Sequence, residues 1–85
     1  MITAIVLIQT ERGQNAAAGE ALAEIPDVAE VYSVTGEYDL VAMVRANEHD
    51  ELADIVTHGI AKLDGVQRTH TLVAFRSFRA SDYDW

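Results

Sequence analysis

The hydrophobic and polar positions of this chain follow two different periods. Four segments are rich in β-branched and other apolar residues at strand spacing, and two carry apolar residues at helical spacing. The strands are predicted over residues 1–10, 28–35, 38–46 and 66–78. The helices are predicted over residues 14–25, where Pro26 ends the first, and between an N-cap at Asn47 and a stop at Gly65. The order of elements is therefore β-α-β-β-α-β.

This order predicts an α+β fold, the ferredoxin-like βαββαβ sandwich, with a four-stranded antiparallel sheet and two helices on one face. The turn Gly36-Glu37-Tyr38 is short enough to make the second and third strands a hairpin. In the second strand, strict alternation places Val28, Tyr32 and Val34 on one face and Ala29, Val31 and Ser33 on the other.

The first and third strands are apolar on both alternating faces, although the helices can cover only one of them. In the third strand, Leu40, Ala42 and Val44 lie on one face, and Val41 and Met43 lie on the other. The uncovered face would expose an apolar patch too large for an ordinary monomer. Burying several hundred Å² at about 25 cal/mol per Å² favours pairing, so we expect the sheet faces of two copies to pack together in a homodimer.

The length, charge and cysteine content of the chain exclude several classes of protein. Eighty-five residues make one domain, predicted over residues 1–78, followed by an acidic, aromatic tail over residues 79–85. A net charge of −8 and scattered basic residues argue against direct nucleic-acid binding. The chain has no cysteine, and no apolar run approaches the roughly 20 residues that span a bilayer. We therefore expect a soluble cytoplasmic protein without membrane contact.

Two motifs then carry a specific resemblance. The segment Val34-Thr35-Gly36-Glu37-Tyr38-Asp39-Leu40, with Gly65-Val66 and Thr69-His70-Thr71 after it, resembles the effector-binding (RAM) module of the Lrp/AsnC transcription regulators. The shared pattern is a Gly-x-x-Asp turn in the hairpin and a Gly-Val…Thr-x-Thr run into the last strand. Full-length regulators carry a helix-turn-helix domain before this module. Because the strand predicted over residues 1–10 stands at the start of the sequence, we expect a stand-alone form.

The resemblance implies a non-enzymatic, cofactor-free module for effector binding and oligomerisation. Its expected ligand is an amino acid or a related small metabolite, bound where dimers meet. Its expected partners are further copies of the chain, as dimers, tetramers or octamers, and a DNA-binding Lrp/AsnC homologue. A ligand that contacts two dimers at once would shift the assembly equilibrium.

The residues of the turn suit an amino-acid ligand. A glycine exposes backbone N–H groups to a carboxylate, and an aspartate accepts charge-assisted hydrogen bonds from an ammonium group. The resemblance makes Gly36 and Asp39 the centre of the site. The predicted ligand-binding residues are Thr35, Gly36, Glu37, Tyr38, Asp39, Thr69 and Thr71.

The same residues also have purely structural interpretations. Gly36 is the residue a hairpin needs at positive φ, Asp39 can satisfy backbone N–H groups at the turn, and the two threonines are ordinary β-formers. Asp50, Asp54 and His58 recur at helical spacing, but a solvated acidic face explains them better than a metal site, and no metal is expected.

Two alternative functions remain open. Asp39 and His70 would form an acid/base pair in a cofactor-free ferredoxin-like enzyme if the fold brings them together, which predicts a deep pocket within one monomer. The second alternative is a structural module that co-assembles with a longer regulator, which the doubly apolar strands favour.

Overall fold

The computed structural model describes residues 1–79, and its elements follow the predicted order. The strands are β1 (Ile2–Thr10), β2 (Val28–Ser33), β3 (Leu40–Ala46) and β4 (Val66–Ala74). The helices are α1 (Asn15–Ala23) and α2 (His49–Asp54), and a π-helical segment, Ile55–Ile60, continues α2. All strand pairs are antiparallel in the spatial order β2-β3-β1-β4, which confirms the ferredoxin-like prediction. The predicted tail lies outside the described residues from position 80 onward.

The core lies between the helices and one face of the sheet. Alternate residues of the central strands β1 and β3 point into it, as the two-residue period predicts. The largest fully buried side chains are Val6, Ile8, Leu22, Val44 and Ile60. The other face of the same strands carries Ile5, Leu7, Val41 and Met43, which are half-buried and have no helix over them. We call this second face the open face.

A β-bulge in β2 overturns the predicted alternation of that strand. Val28 pairs with Val44 and Val31 pairs with Ala42, and the register shifts between Val28 and Glu30. Since one extra residue enters β2 there, Val28 and Val31 both face the helices. Tyr32, opposite Val41, faces the open side. The prediction that Val28 and Tyr32 share a face was therefore wrong.

The second helix is also less regular than predicted, because it widens into a π-helix. The Ala61 N–H donates to the Val56 carbonyl oxygen, five residues back, at 2.8 Å. In an α-helix, five residues turn through about 500°, so Ile55 and Ile60 would point about 140° apart. The wider turn brings both side chains into the core, where they are 8% and 0% exposed.

Several element ends differ from the predicted ones. Because β2 ends at Ser33 and β3 begins at Leu40, a six-residue loop, residues 34–39, replaces the predicted three-residue turn. Glu48, rather than Asn47, is the N-cap of α2, with extended backbone and no side-chain capping hydrogen bond. The other bounds are shorter than predicted, at Asn15–Ala23 for α1 and Val66–Ala74 for β4.

Gly65, directly before β4, contacts the turn that precedes α1. Its carbonyl oxygen accepts a hydrogen bond from the Glu11 N–H at 2.8 Å, and its φ is +89°. A Cβ at this position would lie 2.8 Å from the Cβ of Gln14. The glycine of the Gly-Val motif is therefore required both by its backbone conformation and by its close packing.

Candidate functional site: the loop between β2 and β3

The loop of residues 34–39 is closed by its own backbone. The Val34 N–H donates to the Asp39 carbonyl oxygen at 3.0 Å, which brings the ends of the loop together. Gly36 has a φ of +110°, and no heavy atom lies within 4 Å of where its Cβ would be. The backbone of this loop favours glycine, and the space beside Gly36 is open.

Asp39 fastens this loop to the end of β1. Its backbone N–H donates to the Ile8 carbonyl oxygen at 2.9 Å. Its side-chain Oδ2 accepts hydrogen bonds from the Thr10 N–H at 2.8 Å and from the Thr10 hydroxyl at 3.3 Å. Within residues 1–79, the other carboxylate oxygen of Asp39, Oδ1, makes no hydrogen bond. One oxygen therefore has a structural role, because it holds the loop to the end of β1.

Tyr38 extends from the loop to β4. Its ring centroid lies 6.5 Å from that of His70, and the Arg68 Cζ lies 5.9 Å from the Tyr38 centroid. Arg68 pairs with Gln9 and His70 pairs with Leu7 in the sheet register, so both point to the open face. We call Tyr38, Arg68 and His70 the Tyr38 cluster.

Gln9 and Glu37 hold the loop beside this cluster. The Gln9 side-chain amide donates to the Glu37 carbonyl oxygen at 2.8 Å. Gln9 is on β1 and lies opposite Arg68 on β4. The loop, β1 and β4 thus meet at one end of the open face, where backbone groups, a carboxylate, an aromatic ring and a cation lie near one another.

Thr69 and Thr71 lie on the other side of β4. They pair with Ile8 and Val6, whose side chains are buried beneath the helices, and both threonines are half-buried at this edge strand. Within one protomer the sheet therefore separates them from the Tyr38 cluster. The five loop residues of the predicted site are brought together, and the two threonines are not on their side.

Arg68 and His70 lie beside Tyr38 but were not among the predicted ligand-binding residues, and His70 was considered only as a partner of Asp39 in the enzyme alternative. Both alternate with the two threonines, so the same Thr-x-Thr run that marks β4 also places them on the opposite face. The signal in the sequence is the two-residue alternation of β4, which puts Arg68, His70 and Leu72 on one face. Which face that is follows from the pairing of Leu72 with Ile5 in the structure.

The three residues considered as metal ligands, Asp50, Asp54 and His58, are all exposed. Asp54 and His58 form an exposed contact of 3.6 Å between Oδ1 and Nδ1. Across residues 1–79, no group of three potential metal ligands is close enough to hold an ion. The arrangement is that of a solvated helix face.

At the β2 edge, the open face has a polar border. The Tyr32 hydroxyl donates to the Glu30 carboxylate, and this hydrogen bond, with the negative charge of Glu30, raises the pKa of Tyr32 above its ordinary value. Tyr32 is therefore a neutral hydrogen-bond donor at physiological pH. Leu72, at the β4 side of the same face, is 44% exposed.

The sequence of this chain matches a protein-family model. The model of the Lrp/AsnC ligand binding domain matches residues 3–83, nearly the whole chain. The chain belongs to the Lrp/AsnC family. The family predicted from the Gly-x-x-Asp and Thr-x-Thr motifs is confirmed. The matched residues include the 34–39 loop, the open face and β4.

Individual Lrp/AsnC relatives agree with this assignment. The HTH-type transcriptional regulator FL11 of Pyrococcus furiosus is 31% identical over 75 residues, which are 88% of this chain and 49% of that protein. The chain thus spans about half the length of this curated relative. Within residues 1–79, no helix is long and apolar enough to cross a membrane.

Two solved structures are similar in fold and sequence. The crystal structure of TTHA0845 from Thermus thermophilus has a TM-score of 0.88 and 59% identity, covering 93% of this chain and 99% of that one. A feast or famine regulatory protein from M. tuberculosis, complexed with L-methionine, has a TM-score of 0.81 and 27% identity. That likeness covers 99% of this chain and 56% of the mycobacterial chain.

Proposed function

We propose that this Lrp/AsnC domain is a non-enzymatic effector module that binds an amino acid at the 34–39 loop. The observation that carries the proposal is the Asp39 carboxylate, with Oδ2 held by Thr10 and Oδ1 without a partner in the described chain. A carboxylate already fixed in position loses little freedom when it accepts a hydrogen bond from an ammonium group. The complex of the mycobacterial relative with L-methionine supports the same ligand class.

The remaining groups of an amino acid also have partners near the loop. The backbone N–H groups of residues 35–38 donate no hydrogen bond within residues 1–79 and can bind a carboxylate, and Arg68 beside Tyr38 adds a cation. The Tyr38 ring supplies an apolar wall. Thr35 and Glu37 flank these groups. Thr69 and Thr71 would reach the ligand from a second copy, since in their own protomer they lie across the sheet.

We further propose that ligand binding is coupled to assembly. The open face supports pairing of two copies, because Ile5, Leu7, Val41 and Met43 form an apolar surface without a covering layer in one protomer. A ligand held between copies binds only the assembled form and stabilises it by mass action. A longer, DNA-binding homologue would be joined through the same surfaces, as the names of relatives such as FL11 suggest.

Asp39→Asn is the variant that tests the site. Asparagine can still accept the Thr10 N–H hydrogen bond, so the loop is kept while the negative charge is lost. A hydrogen bond to a charged group contributes about 1.5–3 kcal/mol, so we expect affinity to fall at least about tenfold. Wild-type protein is first screened against the twenty amino acids by thermal shift, and the ligand found is then titrated into both proteins by calorimetry.

Two further variants distinguish the effect of the Asp39 charge from the effect of its hydrogen bond to Thr10. Asp54→Asn removes the same charge from an exposed position on α2 and should leave affinity unchanged. Asp39→Ala also removes the acceptor for the Thr10 N–H and should lower both affinity and the free energy of unfolding, the latter by about 1–3 kcal/mol. Equal affinity of wild type and Asp39→Asn would refute the assignment of Asp39. If none of the twenty amino acids binds the wild type, the ligand class is wrong.

A further inference from the structure

The charges of the open face are divided between its two edges. On β2, Glu30 is exposed on this face opposite Met43, and it is the one charged residue of that strand. On β4, the same face carries Arg68 and His70. Residues 66–79, which include β4 and the segment after it, contain three arginines and no acidic residue, although the chain has fourteen acidic residues and six basic ones. One edge is therefore acidic and the other is basic.

The segment after β4 brings two of these arginines level with Glu30. Arg76 and Arg79 line a groove together with Ile5 and Met43 of the open face. In the sheet register, Glu30 pairs with Met43 and Met43 pairs with Ile5, so these three residues lie in one row across the strands. Arg76 and Arg79 thus lie beside the row that ends in Glu30 at the β2 edge.

These charges have no partner of opposite sign in the protomer. Within residues 1–79, neither Glu30 nor the two arginines form an ion pair. The Glu30 carboxylate accepts a hydrogen bond from the Tyr32 hydroxyl, which holds it on the open face. The Arg76 Cζ lies 4.9 Å from the Phe78 ring centroid. The charges at both edges are therefore available for ion pairs with a second molecule.

Two copies of this sheet can pack face to face in two aligned arrangements. Aligned sheets keep their strand directions within about 30°, and identical copies are related by a two-fold axis. If that axis runs across the strands, β2 lies over β2 and β4 lies over β4, so like charges meet at both edges. If the axis runs along the strands, the order β2-β3-β1-β4 meets its reverse, and each β2 lies over the β4 of the partner subunit. Because the apolar central strands meet in both arrangements, the charges of the edges decide between them.

We propose that two copies pair with the acidic β2 edge of each against the basic β4 edge of the other, and that Glu30 forms ion pairs with Arg76 and Arg79 of the partner subunit. The inference rests on the pairing of open faces proposed above and adds its direction. The two-fold axis repeats each contact, so the dimer contains this one twice. Ion pairs at the border of an interface fix its orientation more than they add affinity.

Glu30→Gln tests the direction of pairing by the sign of its effect. The amide oxygen can still accept the Tyr32 hydrogen bond, so the charge is lost while the local structure is kept. Loss of the two border contacts should raise the dissociation constant of the dimer about 2- to 30-fold at low salt. At about 1 M salt, where the Debye length is about 3 Å, the difference should disappear. If like edges met instead, the same substitution would remove a repulsion and lower the dissociation constant.

Glu20→Gln is the matched control for net charge. Glu20 is exposed on α1, on the side of the sheet that the helices cover. The substitution removes the same charge as Glu30→Gln and should leave the dissociation constant unchanged. Sedimentation equilibrium over a range of protein concentrations measures the wild type and each variant, and circular dichroism checks that each keeps the fold.

Exchanging the charges tests which groups meet. Glu30→Arg alone, and Arg76→Glu together with Arg79→Glu, each place like charges against one another and should weaken the dimer more than Glu30→Gln does. All three substitutions in one chain bring opposite charges together again with their signs reversed. This triple variant should recover most of the wild-type affinity.

The outcomes separate this inference from the pairing on which it rests. A wild-type protein that stays monomeric at every concentration would refute the pairing itself. A dimer that Glu30→Gln strengthens or leaves unchanged would refute the direction of pairing alone. A triple variant that pairs as weakly as Glu30→Arg would refute the contact between Glu30 and the two arginines.

Discussion

The pairing proposed for the open face predicts that Leu72→Lys gives monomers. Leu72 lies on the open face opposite Ile5, and pairing of two such faces would bury it. The substitution replaces apolar contact with a charge that must lose its water, once in each copy. We expect a loss of at least about 3 kcal/mol of association free energy, or about a hundredfold weaker dimer. Light scattering after size exclusion, over a range of concentrations, measures the change.

Val73→Lys is a closely matched control for that variant. The two residues are neighbours on β4 and similarly exposed, Leu72 at 44% and Val73 at 46%. They point to opposite sides of the sheet, because Val73 pairs with the buried Ala4. If the copies pair through the open face, Val73→Lys retains the wild-type mass. Equal dissociation by both variants, or by neither, would contradict pairing through this face.

Gly65→Ala is expected to lower the free energy of unfolding by about 2–6 kcal/mol. Two costs add at this position. An L side chain at a φ of +89° is strained by about 1–3 kcal/mol. The new Cβ would also lie 2.8 Å from that of Gln14, and such overpacking costs about 1–3 kcal/mol. Denaturant unfolding at fixed protein concentration measures the sum.

Gly36→Ala separates these two costs. Gly36 also has a positive φ, but a Cβ there would meet no atom within 4 Å, so only the strain of about 1–3 kcal/mol is expected. In the Gly65→Ala background, Gln14→Gly removes the atom that the new Cβ meets and should restore part of the stability. A loss at Gly65 no larger than the loss at Gly36 would show that the close approach to Gln14 has no energetic effect.

The fold was predictable from the sequence because its central strands have regular patterns. Ala4, Val6 and Ile8 alternate with Ile5 and Leu7, which gives both the buried face and the open face of β1 without further information. Irregular positions were not predictable in this way. The bulge at Ala29 and the π-helical turn after Asp54 each change the side-chain period by one residue, and local sequence carries no clear sign of either.

The conformation of the 34–39 loop was predictable only in part, and the role of its residues in binding stays a prediction. The Gly-x-x-Asp pattern located Gly36 and Asp39, and positive φ at the glycine follows from its place in a hairpin. The hydrogen bonds from Thr10 to Asp39 join residues 29 positions apart. Such a contact depends on where β1 ends relative to the loop, as does the approach of Arg68 to Tyr38. Neither contact can be predicted without the three-dimensional register of the strands.

The π-helical segment also bears on how the length of this domain can change. Ile55 and Ile60 are five positions apart in the sequence. Side chains on one face of an α-helix are at most four positions apart, so the π-helical turn contains one additional residue. Deleting Gly59, which lies between them, would restore that spacing and leave Ile60 directed at the core. The segment is therefore a position at which a single-residue deletion can be absorbed by a change of helix type, while the strands, which would exchange their two faces, have no such tolerance.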